Sequence, residues 1–117
     1  MRSRNLKSGI LIYLVPTPHD PDQKSHTEKM SVRRAWALIN TIPSKVLETC
    51  PPANTSLSVD GDFRIVWKVG PETVKLILPD QTSGGYIYWE NSRTFGTENP
   101  TPENLTYRLA MMGERID

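Results

Sequence analysis

Three groups of residues in this chain have the types that chemistry uses. Asp60 and Asp62 flank Gly61, and two carboxylates so close could act as general acid and base if a pocket raised one pKa. Aspartates beside a glycine are also what a hairpin tip requires, and a tip rarely encloses a pocket. His19, Asp20, Asp22 and His26 carry metal-ligating groups. A metal site needs three or four converging ligands backed by further hydrogen bonds, whereas Pro16 to Lys24 is a proline- and aspartate-rich stretch without an apolar residue. It reads as a solvated linker, with no metal or other cofactor. Cys50 is the lone thiol, set before Pro51-Pro52, and reads as a small apolar residue at a helix end rather than a nucleophile.

Other catalytic patterns are missing from the sequence. Ser83-Gly84-Gly85-Tyr86 lacks the lysine and following helix of a phosphate loop. There is no Gly-x-Ser-x-Gly, His-Glu-x-x-His or Cys-x-x-Cys. The expectation is therefore a protein that is not an enzyme.

Composition narrows the classes further. A length of 117 residues suits one domain with a modest core. Fourteen basic and thirteen acidic side chains leave a net charge of +1, too little for a global field that draws in nucleic acid or anionic membrane. A single cysteine allows no internal disulfide and suits a reducing compartment. Arg2, Arg4 and Lys7 resemble the start of a secretory signal, but Ile10 to Val15 is short for its apolar region and meets Pro16 without a cleavage site. The same run is far below the about 20 residues that span a bilayer. A cytoplasmic protein without membrane contact is expected.

The elements follow from punctuation and periodicity. Residues 1–24 form an N-terminal arm and proline-rich linker in which Ile10 to Val15 reads as an edge strand. A second reading starts the core near Met30 and makes the preceding residues an appendage. In residues 25–117, Ser25-His-Thr-Glu28 has capping-box spacing. It opens a helix to about Asn40 with Val32, Trp36 and Ile39 on one stripe and Ala35 beside them. Pro43 bends the chain into a short turn over Ser44 to Thr49, and Pro51-Pro52 ends it. Strands are expected over Ser56 to Val59, Phe63 to Val69, Thr73 to Leu78 and Tyr86 to Glu90, with turns at Asp60-Gly61, Gly70-Pro71 and Gly84-Gly85. Phe95 anchors a loop or adds a short strand. Thr101-Pro102-Glu103 opens a last helix with Leu105, Leu109 and Met112 as its stripe and Gly113 as its stop. The fold class is α+β: an antiparallel β-meander of three to five strands with two helices packed on it.

Period-two alternation assigns the sheet's faces. Phe63, Ile65, Trp67 and Val69 share the core side with Val74, Leu76 and Leu78. Val66 and Ile77 then fall on the nominally polar side. In Tyr86-Ile87-Tyr88-Trp89 either pair can face the core, which leaves apolar or aromatic surface on the other side. Either the N-terminal arm roofs that surface or a partner does. Val66, Ile77, Tyr86 and Tyr88 are the candidate partner contacts, together with the arm. An alternative is a nucleic-acid-associated protein contacting phosphates through Arg2, Arg4, Lys7, Arg33 and Arg34, with sheet aromatics for stacking. The order of elements departs from the βαββαβ of RNA-recognition sheets. Self-association through an unpaired edge such as Ile10 to Val15 is a third use.

Pro51-Pro52, Asp60-Gly61, Ile65-Val-Trp67, Lys75-Leu-Ile-Leu78 and Tyr86-Ile-Tyr-Trp89 resemble a pattern in small, mostly uncharacterised bacterial stand-alone proteins. These have a helix, a β-meander and a closing helix, and the resemblance spans about Val32 to Met112. Such proteins often lie in mobile or defence-associated gene neighbourhoods, including phage, with no assigned catalysis. The resemblance implies a binding or regulatory role and carries no functional residues. The leading expectation is a small protein-binding accessory or inhibitor module.

Overall fold

The computed structural model describes Leu6, Ile10 and residues 29–116. The elements run α1 (Met30–Thr41), α2 (Ser44–Thr49), β1 (Ala53–Leu57), β2 (Phe63–Val69), β3 (Glu72–Leu78), β4 (Tyr86–Glu90), β5 (Phe95–Glu98) and α3 (Pro102–Ile116). The strands form one antiparallel sheet in sequence order, β1-β2-β3-β4-β5. The expected α+β meander with helices packed on it is the fold.

Turn chemistry sets the register. Gly70 has φ 56° and with Pro71 makes a two-residue hairpin between Val69 and Glu72, which are paired. Glycine at the first central position and proline at the second suit this tight turn. At the β1–β2 tip, the Ser58 N–H donates to Asp62 O at 2.9 Å and the Asp62 N–H to Ser58 Oγ at 3.1 Å. Asp60 and Asp62 thus belong to a turn. Strand β1 lies three residues earlier than expected at its start, directly after Pro52, because Ala53, Thr55 and Leu57 pair with Trp67, Ile65 and Phe63. Val59, expected in the strand, is fully exposed at the tip.

One face of the sheet carries the core. Phe63, Ile65, Trp67, Leu76, Leu78 and Ile87 are buried there against Val32 and Ile39 of α1 and Leu105, Leu109 and Met112 of α3. In β4 the core side is therefore Ile87 and Trp89. Val69, expected on that side, is exposed at the hairpin end of β2. The α1 stripe is Val32, Ala35, Leu38 and Ile39, and Trp36 sits half-buried on its flank.

The start of α1 is set by tertiary contacts. Lys29 is extended (φ −68°, ψ 122°) and makes no side-chain cap. Instead the Met30 N–H donates to Asp80 Oδ1 at 2.7 Å, and Lys29 Nζ lies 3.6 Å from Asp80 Oδ2. The buried Ser31 hydroxyl donates to Gly61 O at 2.6 Å. Arg34 donates to Gly84 O at 2.8 Å and Gln81 O at 3.4 Å. The helix expected from Ser25 thus begins at Met30, and the Ser25–Glu28 capping box lies outside the described residues. So do the linker and its histidines. Of the strand expected over Ile10 to Val15, only Ile10 is described, and it is helical. Leu6 and Ile10 are buried in the same core as α1 and α3.

The last helix starts as read, with Thr101 Oγ1 accepting the Asn104 N–H at 3.1 Å. It does not stop at Gly113 but runs on to Ile116. Gly113 is buried, and a Cβ there would meet the Thr49 side chain of α2. The glycine serves close helix packing rather than termination.

Two outcomes follow for stability. Asp80→Ala should lower it by about 0.5–2 kcal/mol through loss of the cap, with Asp80→Asn retaining most of it, read by urea denaturation. Gly113→Ala should destabilise the wild type through overpacking. In a Thr49→Ala background it should cost less or gain, as alanine's helix preference of about 1 kcal/mol is expressed.

Candidate functional site

The sheet's other face carries a continuous surface built by register. Val66 of β2 lies opposite Lys75 of β3, which lies opposite Tyr88 of β4, which lies opposite Thr97 of β5. The neighbouring row is Arg64, Ile77 and Tyr86. A third row runs Lys68, Thr73, Glu90 and Phe95. The face exists because each of these strands places its alternate residues away from the helices.

All four candidate contacts, Val66, Ile77, Tyr86 and Tyr88, are brought together. With Arg64, Lys75 and Glu90 they line one open depression of about 340 Å³. None of the four belongs to the core that holds Leu6 and Ile10. Those two residues therefore pack with the helices on the opposite side of the sheet. Tyr86 is 44% exposed and Phe95 70%. The Tyr88 and Phe95 rings stack at 6.5 Å and 29°, and Lys75 Nζ lies 5.6 Å from the Tyr88 ring centroid.

Charge on this face is unbalanced. Arg64, Lys68 and Lys75 are exposed there, and Glu90 is the acidic residue of the depression. Its carboxylate accepts the Tyr88 hydroxyl at 2.9 Å. That hydrogen bond, then burial and the nearby Glu90 charge, holds the Tyr88 phenol above its ordinary pKa. The phenol therefore stays protonated as a donor. Phe95 and the three cations were the residues sequence reasoning did not assign to the site. Alternation does place the cations on this face, whereas Phe95 needed the register of β5.

Of the residues expected to contact phosphates, Arg33 and Arg34 are described. Arg34 is committed to the loop carbonyls of Gln81 and Gly84. Arg33 is exposed on the same helix and has an interaction of its own. Arg2, Arg4 and Lys7 lie outside the described residues. Trp67 and Trp89 face the core side and offer no stacking platform on the open face.

A second cluster closes the end of the sheet. Arg108 of α3 forms an ion pair with Glu98 Oε2, with Nε at 3.0 Å, and its guanidinium lies 4.0 Å from the Trp89 ring centroid and 5.2 Å from that of Tyr107. Gly96 lets the Trp89 indole approach β5 closely, since a Cβ there would meet the ring. The buried Trp89 Nε1 and Glu98 Oε1 have no partner among the described residues. The cluster's evident work is to tie α3 to β4 and β5.

Cys50 is buried, its thiol directed at Val46 O (3.2 Å) and Leu109 O (3.4 Å). Burial pushes its pKa from 9.0 up to about 11, the reverse of an activated nucleophile. Among the described residues, no three His, Cys, Asp or Glu side chains gather as a metal site, and no helix is long and apolar enough to cross a membrane.

Native Cys50 should react slowly with thiol reagents and rapidly once the protein is unfolded. The raised pKa means that the folded state binds the proton more tightly. Its stability contribution is present below the unfolded value of 9.0 and is lost as pH rises toward about 11. Alkaline thermal melts of the wild type and Cys50→Ala should diverge in that window. Compared with family models, curated proteins and solved structures, the chain matches none of them.

Proposed function

We propose that this protein is a small non-enzymatic binding module, an accessory or inhibitor of another protein, that docks through the open face of its sheet. The supporting observation is the grouping of Val66, Ile77, Tyr86 and Tyr88 in one depression on the side away from the helices. Apolar surface at the centre with charged residues around it is the anatomy of a protein interface. Exposed contiguous apolar surface also marks interaction sites. The buried, raised-pKa thiol and the turn-bound Asp60 and Asp62 favour binding over catalysis. The lone cysteine suits work in the reducing cytoplasm. The resemblance to small bacterial stand-alone proteins suits a role in defence or counter-defence.

Nucleic-acid association is the second reading, favoured by the cations beside exposed tyrosines. It now rests on Arg64, Lys68 and Lys75, because Arg34 is occupied by loop carbonyls.

Val66→Asp tests the reading. The variant should stay folded, with circular dichroism unchanged and a melting temperature near that of the wild type. It should lose the protein that the wild type recovers from its host after nuclease treatment. Unfolding of Val66→Asp, or recovery that depends on nucleic acid, would count against a protein-docking face.

A further inference from the structure

The geometry points to an acidic polypeptide segment with apolar anchors as the occupant of the open sheet face. This rests on the docking reading above and adds the chemistry of the partner. Charge complementarity carries it. Val66 and Ile77 occupy adjacent central strands, and Arg64, Lys68 and Lys75 alternate with them on the same side. The opposing carboxylate in the depression, Glu90, is engaged by the Tyr88 hydroxyl. A partner that buried the aliphatic centre would bring its flanking side chains beside three cations. Carboxylates are satisfied there and ammonium groups are repelled. Burying those cations without counter-charge would be costly, so the apolar centre and the basic flanks call for the same ligand.

Single-stranded nucleic acid fits the same face less well. Bases need ring faces free for stacking. The Tyr88 ring is flanked by Phe95 at 6.5 Å and Lys75 at 5.6 Å. The two central strands offer Val66 and Ile77 where stacking rings would have to stand. A carboxylate-bearing peptide tolerates these features because its apolar side chains need area rather than a free ring face.

The test uses the full chain and short labelled probes read by fluorescence anisotropy. One peptide alternates Glu or Asp with Leu or Phe. A second replaces its acids with Lys, a third replaces its apolar residues with Ala, and the fourth probe is oligo(dT). The acidic apolar peptide should bind at least about tenfold more tightly than the other three, and added salt should weaken it. Lys75→Glu and Arg64→Glu should each weaken it about tenfold, and Val66→Asp should abolish it, with circular dichroism confirming the fold. The salt series on the wild type holds the test open if a variant misfolds.

Equal binding of the basic peptide, tighter binding of oligo(dT), or no binding of any peptide would overturn the acidic-segment inference. So would a dimer of the wild type that Ile77→Asp dissociates, because the occupant would then be a second copy. If the host partner is lost with Val66→Asp while no acidic peptide binds, the docking face stands and the partner's acidity falls. If acidic-peptide binding ignores Val66→Asp, Lys75→Glu and Arg64→Glu alike, the face itself is the wrong surface.

Discussion

The first turn of α1 holds the molecule in one arrangement. Its free amide at Met30 is taken by Asp80, from the loop between β3 and β4. Its buried Ser31 hydroxyl is taken by Gly61, from the turn between β1 and β2. Arg34, one turn further, gathers two more carbonyls of the β3–β4 loop. A helix end needs partners for its unpaired amides. Here the Met30 amide finds its partner in one loop of the sheet and the Ser31 hydroxyl in another turn, and together they place α1 across the sheet. Everything on the helical side then has a fixed floor, and among the described residues no helix covers the opposite side.

That division explains why the sheet's two faces differ in kind. The core side is filled by large side chains from both layers, including Trp67 and Phe63, each about 1% exposed. The open side is a row-by-row mixture of aliphatic, aromatic and basic residues whose pairing across strands is set by the hairpin turns. Tyr88 illustrates the result, with a lysine at one neighbouring position and an aromatic ring at another. Such a surface is neither a simple solvated face nor a second core.

Much of this was legible in the residues, and the failures have physical causes. Strands β2 and β4 were readable because alternation and turn glycines agree. The side of β4 was not, since Tyr86-Tyr88 and Ile87-Trp89 are both apolar enough to be buried. Pairing with β3 decided it. The start of α1 escaped local reading because its cap is supplied fifty positions away by Asp80, and no local motif records that. Gly113 misled for a similar reason: a glycine near a helix end normally stops the helix, but here α2 needs the missing side chain. Arg34 looked like a free cation because its carbonyl partners lie in a loop distant in sequence. Val66 and Ile77 emerged from periodicity alone, whereas Tyr86 and Tyr88 needed the pairing of β4 with β3 and Phe95 required a strand too short to announce itself.

The strand order carries a kinetic meaning. Each strand pairs with its neighbour in sequence, so the sheet can grow hairpin by hairpin through small loop closures, each with a modest entropic cost. The helices are different. They lie at opposite ends of the meander, and α1 reaches turns that are synthesised well after it. Met30 precedes its capping partner Asp80 by 50 positions, so in N-to-C synthesis this cap can close only after the β3–β4 loop has been made. The contact that fixes the helix layer is therefore tied to the β3–β4 loop of the meander rather than to the helix's own neighbours in sequence.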